Sequence, residues 1–104
     1  MWTQQEAIDL CWQIEAICPA CGCHVALTGG CLYKPGNRKD LDLIFYRIRQ
    51  VEKIDMGRLF GELGKLNVHF MSGRSWCYKA VYGEKSIDLL FPEEQGEYLV
   101  SEKS

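Results

Sequence analysis

Three aspartates lie in strand-like segments where acidic side chains are uncommon. Asp40 and Asp42 alternate with leucine in the motif DLDL (residues 40–43), and Asp88 interrupts the apolar run IDLLF (residues 87–91). Residues two apart on a strand share one face, with Cα atoms roughly 6–7 Å apart. Two carboxylates at that distance repel by about 2–3 kcal/mol at an effective dielectric constant near 20. A divalent cation would offset this repulsion, and Mg²⁺ is typically held by one or two carboxylates together with substrate phosphates.

Asp88 would complete a cluster of three carboxylates if its strand lay beside the strand of Asp40 and Asp42. Aspartate is unfavourable inside a strand and is rarely buried without a partner. Three clustered carboxylates can hold two metal ions about 3.5–4 Å apart, an arrangement used in phosphoryl transfer. Two plainer interpretations stay open. The first pair could line a solvated strand face, and Asp88 could form a salt bridge with Lys79 or Lys85 across a hairpin.

A glycine pair, Gly29-Gly30, follows a β-rich segment at residues 24–28. Glycine lets a backbone approach a phosphate closely and leaves its amides free to donate hydrogen bonds. Taken alone, the pair is most typical of a turn. Its position ten residues before the first aspartate of an Asp-x-Asp strand favours a phosphate-binding loop.

Two helices are indicated by apolar residues at helical spacing. Thr3 and Glu6 have the spacing of a capping box, which starts a helix of about four turns. Pro19 and Gly22 end that helix. Asp55 caps a second helix, whose apolar stripe comprises Met56, Leu59, Phe60, Leu63 and Leu66.

Strands make up most of the remaining chain. They are predicted at residues 24–28, 40–47, 67–71, 76–82 and 85–91. The last two form a hairpin that turns near Gly83-Glu84. The order of elements is helix, strand, strand, helix and three strands. It predicts an α+β fold with one small mixed β-sheet and helices packed on one face.

The length and charge of the chain restrict its function. Its 104 residues carry a net charge of −2 and no basic tract, so nothing favours tight nucleic-acid binding. We expect a single domain over residues 1–104, with a frayed polar tail at 92–104. No apolar segment approaches the ~20 residues of a membrane span, and no signal-peptide pattern is present. A cytoplasmic protein without membrane association is therefore predicted.

Six cysteines are expected to be reduced thiols, several of them buried. Four possible zinc ligands fall within seven residues: Cys18, Cys21, Cys23 and His24. Structural zinc sites usually draw their ligands from two separated pairs, so a zinc-binding interaction module is kept only as an alternative. Most of the large aromatic side chains are predicted to fill the core or the seam between helices and sheet: Trp2, Trp12, Phe60, Phe70, Trp76 and Phe91.

The segment from residue 24 to residue 91 resembles the DNA polymerase β-type nucleotidyltransferase superfamily. The signature of that superfamily is a hydrophobic strand, Gly-Gly or Gly-Ser, a polar spacer and then Asp-h-Asp-h, where h is hydrophobic. A third acid lies on a later strand. Thr28-Gly29-Gly30 and the run RKDLDL (residues 38–43) match the first parts of the signature, and Asp88 matches the last.

This resemblance implies a Mg²⁺-dependent enzyme that transfers a nucleoside monophosphate from an NTP to a hydroxyl acceptor and releases pyrophosphate. By position, Asp40 and Asp42 would hold two Mg²⁺ ions. Asp88 would hold the catalytic ion and help to deprotonate the acceptor. The triphosphate would contact five residues around the glycine pair: Thr28, Gly29, Gly30, Arg38 and Lys39.

Two positions depart from the family pattern, since Gly30 and Lys39 stand where many members have serine. No helical domain for the base or the acceptor follows the module in this sequence. The resemblance therefore implies a partner protein that supplies the acceptor or the base-binding surface. The alternative is an inactive protein of the same fold that binds or inhibits a partner protein.

Overall fold

The computed structural model describes residues 1–28, 39–74 and 76–93. Two α-helices and five β-strands occur in these ranges, with a short 3₁₀ turn at Pro19–Cys21. The elements run α1 (Gln4–Ile17), β1 (Cys23–Thr28), β2 (Asp40–Arg47), α2 (Met56–Lys65), β3 (Val68–Arg74), β4 (Cys77–Tyr82) and β5 (Lys85–Leu90). This order confirms the predicted α+β class, with one mixed sheet and two helices packed against it.

Helix α1 begins at the predicted capping box. The Thr3 hydroxyl accepts from the backbone N–H of Glu6 at 3.1 Å, and the Glu6 carboxylate accepts from the backbone N–H of Thr3 at 2.9 Å. The helix gives way to the 3₁₀ turn that starts at Pro19, whose ring cannot continue the helical hydrogen bonds. Gly22 then turns the chain into β1 with a φ of 85°, a conformation that favours glycine.

The five strands form one sheet in the order β1-β2-β5-β4-β3. The two central strands, β2 and β5, run parallel, with Leu41 opposite Ile87 and Leu43 opposite Leu89. All other neighbouring strands are antiparallel. The central pair joins two segments that are far apart in the sequence, so the middle of the sheet depends on long-range contacts.

Both helices cover the same face of the sheet. Leu41, Leu43 and Phe45 of β2 point to this face and are fully buried. They meet Ala7, Leu10 and Ile14 of α1 and Leu59 and Leu63 of α2 in one continuous core. The ring of Phe45 stacks on that of Phe91 with centroids 4.9 Å apart. Burial of each large side chain contributes roughly 1.5–3 kcal/mol, so this face supplies most of the stabilising free energy.

The aromatic prediction is confirmed for Trp2 and Phe91, which are fully buried, and for Phe60 and Phe70, whose rings meet between α2 and β3 with centroids 5.5 Å apart. It is wrong for Trp12 and Trp76, which are 78 % and 40 % exposed. Trp12 lies two residues from both Leu10 and Ile14, so the helical repeat turns it to the outer side of α1. Aromatic character alone did not determine the side on which these rings lie.

Strand β1 is an edge strand of the sheet formed by the described residues, and a side chain of α1 contacts its backbone. Glu15 of α1 accepts a hydrogen bond from the backbone N–H of Val25 at 3.0 Å and bonds Nδ1 of His24 at 2.6 Å. An edge strand with free N–H groups can recruit another strand, and Glu15 occupies one of these groups. Among the described residues, no helix is long and apolar enough to cross a bilayer.

A candidate carboxylate site on the open face of the sheet

Alternation along the strands places the aspartates on the face opposite to the helices. No helix of the described residues covers this face, which is called the open face below. On β2, Asp40 and Asp42 take the open face because Leu41 and Leu43 take the covered one. Asp88 does the same on β5, between the buried Ile87 and Leu89. The residues that make the core thus also determine where the acids point.

The parallel pairing of β2 with β5 brings two of the three acids together. Asp42 and Asp88 are directly opposite each other in the register, and Asp40 lies opposite Ser86. The carboxyl groups of Asp42 and Asp88 are within hydrogen-bonding reach of each other. Asp40 lies two residues along the same strand face and is exposed. Among residues 1–28, 39–74 and 76–93, no three Asp, Glu, His or Cys side chains converge closely enough to enclose a metal ion.

A single row of side chains crosses the open face through this pair. Thr28 of β1 lies opposite Asp42, and Lys79 of β4 lies opposite Asp88. The row is therefore Thr28, Asp42, Asp88 and Lys79, in the order of the strands. Lys39 immediately precedes β2 and is exposed. Gly29, Gly30 and Arg38, which were predicted to bind the triphosphate, lie outside the described residues.

Lys79 forms an ion pair with Asp88 that joins β4 to β5. Its Nζ lies 2.6 Å from Oδ1 of Asp88, and the two side chains are 58 % and 18 % exposed, respectively. The hydrogen bond to Asp88 raises the pKa of Lys79 above its ordinary value. This salt bridge is one of the two interpretations of Asp88 that the sequence leaves open, the other being a metal-binding carboxylate. A two-residue turn at Gly83-Glu84 is the signal that fixes it, because pairing outward from that turn places Lys79 opposite Asp88.

The surroundings of Asp42 disfavour its charged form. Burial raises the pKa of the Asp42 carboxyl, and the hydrogen bond and charge of Asp88 raise it further. Asp40 adds to the effect, and Lys79 opposes it. Two adjacent carboxylates favour binding of a proton or a metal cation, since either reduces their mutual repulsion.

The donor set suits a hard cation such as Mg²⁺. Two carboxylates from adjacent strands provide oxygen ligands, and Mg²⁺ commonly needs only one or two of them together with water and phosphate oxygens. Asp42 and Asp88 meet this requirement, and Asp40 is placed on the same face within electrostatic range. The predicted site for two ions requires a closer approach of Asp40 and stays a prediction.

The cysteine segment does not gather its four possible ligands. Cys18, Cys21 and Cys23 are buried, and alternation turns His24 away from Cys23. The Cys21 thiol donates to the carbonyl of Ile17 at 3.5 Å. A hydrogen bond between the two thiols raises the pKa of Cys18 and lowers the pKa of Cys23. Among the described residues, no three possible ligands of this segment converge on one point, which favours packing over metal binding. Each of the five described cysteines is a free thiol.

The chain matches no protein-family model and no curated protein sequence. The resemblance to polymerase β-type nucleotidyltransferases therefore rests on the motif residues.

Proposed function

We propose that the protein is a Mg²⁺-dependent nucleotidyltransferase that moves a nucleoside monophosphate from an NTP to a hydroxyl acceptor. The observation that supports this most is the register of β2 and β5, which sets Asp42 beside Asp88 on the open face. The motif resemblance assigns metal binding to these same residues. The two plainer interpretations, a salt bridge of Asp88 and a solvated strand face, do not require Asp42 and Asp88 to lie side by side. Thr28, opposite Asp42, leads directly from this row into the glycine pair.

The transfer itself needs little from the protein beyond positioning and charge. The oxygen of the acceptor hydroxyl attacks the α-phosphorus, the bond from that phosphorus to the bridging oxygen breaks, and pyrophosphate leaves with the bonding electrons. Asp42 and Asp88 would hold Mg²⁺, which neutralises phosphate charge when it is bound. Asp88 would accept the hydroxyl proton. Lys39 and the glycine pair would orient the triphosphate through their positive charge and backbone amides.

The acceptor and the base are expected to contact a partner protein. The acids share the open face with apolar, half-buried side chains of the central strands, Ile44 and Leu90. We expect a partner that covers this face to supply the missing contacts. The protein is proposed to act in the cytoplasm.

The first experiment compares the thermal stability of the wild type and Asp42→Asn with each of the four NTPs and Mg²⁺. A ligand at a hundred times its dissociation constant stabilises the folded state by about 2.7 kcal/mol, which shifts the melting temperature of a small domain by several degrees. We expect such a shift in the wild type and none in Asp42→Asn. Asp9→Asn is the matched control, because Asp9 is an exposed acid on α1 and the variant should respond like the wild type.

Two outcomes would contradict the proposal. One is the absence of any nucleotide-dependent shift, which would favour the inactive binding protein. The other is NTP turnover by Asp42→Asn at the wild-type rate, measured as pyrophosphate release. Circular dichroism of the variant ensures that a loss of binding does not reflect unfolding.

A further inference from the structure

The carboxylate pair of Asp42 and Asp88 lies beside a basic side chain, that of Lys79. Among the ion pairs of the described residues, the pair of Lys79 and Asp88 brings a basic side chain to this row. The distance between Nζ of Lys79 and Oδ1 of Asp88 is 2.6 Å. The other two lysine pairs lie elsewhere: Lys85 binds Glu6 of α1, and Lys65 binds Glu62 within α2. The ammonium of Lys79 therefore occupies an oxygen that a metal ion at this site would also use.

The two partners of this ion pair differ in their freedom to move. Asp88 lies on a central strand that is paired on both sides, and its side chain is 18 % exposed. Lys79 is 58 % exposed at the side-chain level and has four flexible methylene groups. If the pair opens, Lys79 is the partner that moves into solvent, while Asp88 keeps its place beside Asp42.

The charges indicate why this lysine is needed when no metal is bound. Asp42 and Asp88 face each other with Asp40 nearby, and one ammonium group cannot neutralise three carboxylates. A divalent ion supplies twice the charge of an ammonium group at the same location. Such an ion could replace Lys79 and still neutralise the negative charge of each carboxylate at least as well as the ammonium group does.

We propose that Lys79 is the resident cation of the carboxylate pair and competes with a divalent metal ion for Asp88. Lys79 is thus a positioning residue that keeps Asp88 oriented between catalytic cycles, and it sets the metal concentration at which the site fills. This inference rests on the proposed function, because it concerns the same carboxylates.

The test measures the affinity of the protein for Mn²⁺ alone by isothermal titration calorimetry, without nucleotide. Removal of the competing cation in Lys79→Gln should tighten Mn²⁺ binding by about fivefold, the size expected for a partly exposed ion pair. Lys79→Arg retains the charge and should bind Mn²⁺ like the wild type. Lys65→Gln is the matched control, because it removes a lysine from an ion pair on α2 and should not change the affinity.

The outcomes separate this inference from the proposed function. Mn²⁺ binding that is lost in Asp42→Asn but is equal or weaker in Lys79→Gln would overturn the competition and leave the metal site in place. Mn²⁺ binding in no variant, or binding that Asp42→Asn retains, would overturn the competition. The proposed function is then tested separately by the nucleotide-dependent melting shift, because substrate phosphates supply part of the ligands of the metal. Melting curves without metal check that Lys79→Gln is folded, as its exposed side chain leads us to expect.

Discussion

The two faces of the sheet are built by alternate residues of the same strands, but they are under opposite physical demands. On β2, Leu41, Leu43 and Phe45 are fully buried against the helices, whereas Asp40 and Asp42 alternate with them on the open face. The covered face lowers the free energy of the folded state by removing apolar surface from water. The open face concentrates carboxylates that repel one another.

The comparison shows that one strand register positions both the apolar side chains of the core and the acidic side chains of the candidate site. The same backbone pairing that aligns Leu41 with Ile87 and Leu43 with Leu89 also aligns Asp42 with Asp88. A shift of one residue in that register would turn the leucines outward and the acids into the core. The hydrophobic face therefore fixes the geometry of the acidic face.

The largest effect is expected from a cavity in the covered face. Leu43→Ala removes a fully buried side chain from the central strand and should lower the free energy of unfolding by about 2–5 kcal/mol. Ile44→Ala, one residue away on the half-buried open face, is the control and should cost clearly less. Urea denaturation measures both. Equal losses would show that the open face is packed as tightly as the covered one.

A smaller effect of opposite sign is expected on the open face. The pKa of Asp42 is raised above its ordinary value of 3.8 by burial and by Asp88. The folded protein thus binds this proton more tightly than the unfolded chain does, and the stabilisation is lost as the pH rises through the raised pKa. Asp42→Asn removes this loss and should be more stable than the wild type at neutral pH, by about 0.5 kcal/mol.

Melting temperatures of Asp42→Asn and the wild type between about pH 4 and pH 7 check this pH dependence. The gap between the two proteins should widen as the pH rises. Asp9→Asn serves as the control and should follow the wild type throughout. A gap that narrows toward neutral pH would mean that the Asp42 carboxylate stabilises the fold instead.

The smallest effect should come from an acid on the helix side of the sheet. A hydrogen bond from Lys85, followed by one from the backbone of Thr3, lowers the pKa of Glu6 from 4.5 to about 2. Its contribution to stability is therefore present above pH 4.5 and is lost as the pH falls toward 2. Glu6→Gln keeps the capping amide contact but removes the charge, so it should melt slightly below the wild type at neutral pH.

The difference between Glu6→Gln and the wild type should shrink as the pH falls through this range. Glu62→Gln is the control, because Glu62 forms a comparable exposed ion pair with Lys65. Glu6 and Asp42 should therefore produce pH slopes of opposite sign. Slopes of the same sign would show that the two faces do not differ as proposed.

Local signals in the sequence predicted the elements well. The strand at residues 40–47 and the helix capped by Asp55 occur where their periodicity indicated. Strand β3 extends to Arg74, beyond the predicted end at residue 71, and has an irregularity between Phe70 and Ser72. Such an irregularity interrupts the alternation from which strand ends are predicted.

The site was less accessible to prediction, because it depends on contacts between distant segments. The sequence indicated that Asp42 and Asp88 would meet if their strands were neighbours, but the parallel pairing of those strands is a tertiary fact. Without the register of the hairpin, the sequence left two lysines, Lys79 and Lys85, as possible salt-bridge partners of Asp88. The outward orientation of Trp12 was, in contrast, accessible from the sequence, because Trp12 lies on the opposite side of the helical repeat from Leu10 and Ile14.

Contacts between the first and last parts of the described chain affect when the candidate site can form during folding. The indole N–H of Trp2 donates to the carbonyl of Ser86 at 2.8 Å, and β2 pairs with β5 across a long stretch of chain. Contacts between such distant residues form slowly, since a large loop must close before they stabilise anything. During synthesis, the central strand stays without its neighbour until the last hairpin has been made. We therefore expect Asp42 and Asp88 to meet only after β5 has been synthesised, so the candidate site is absent from shorter nascent chains.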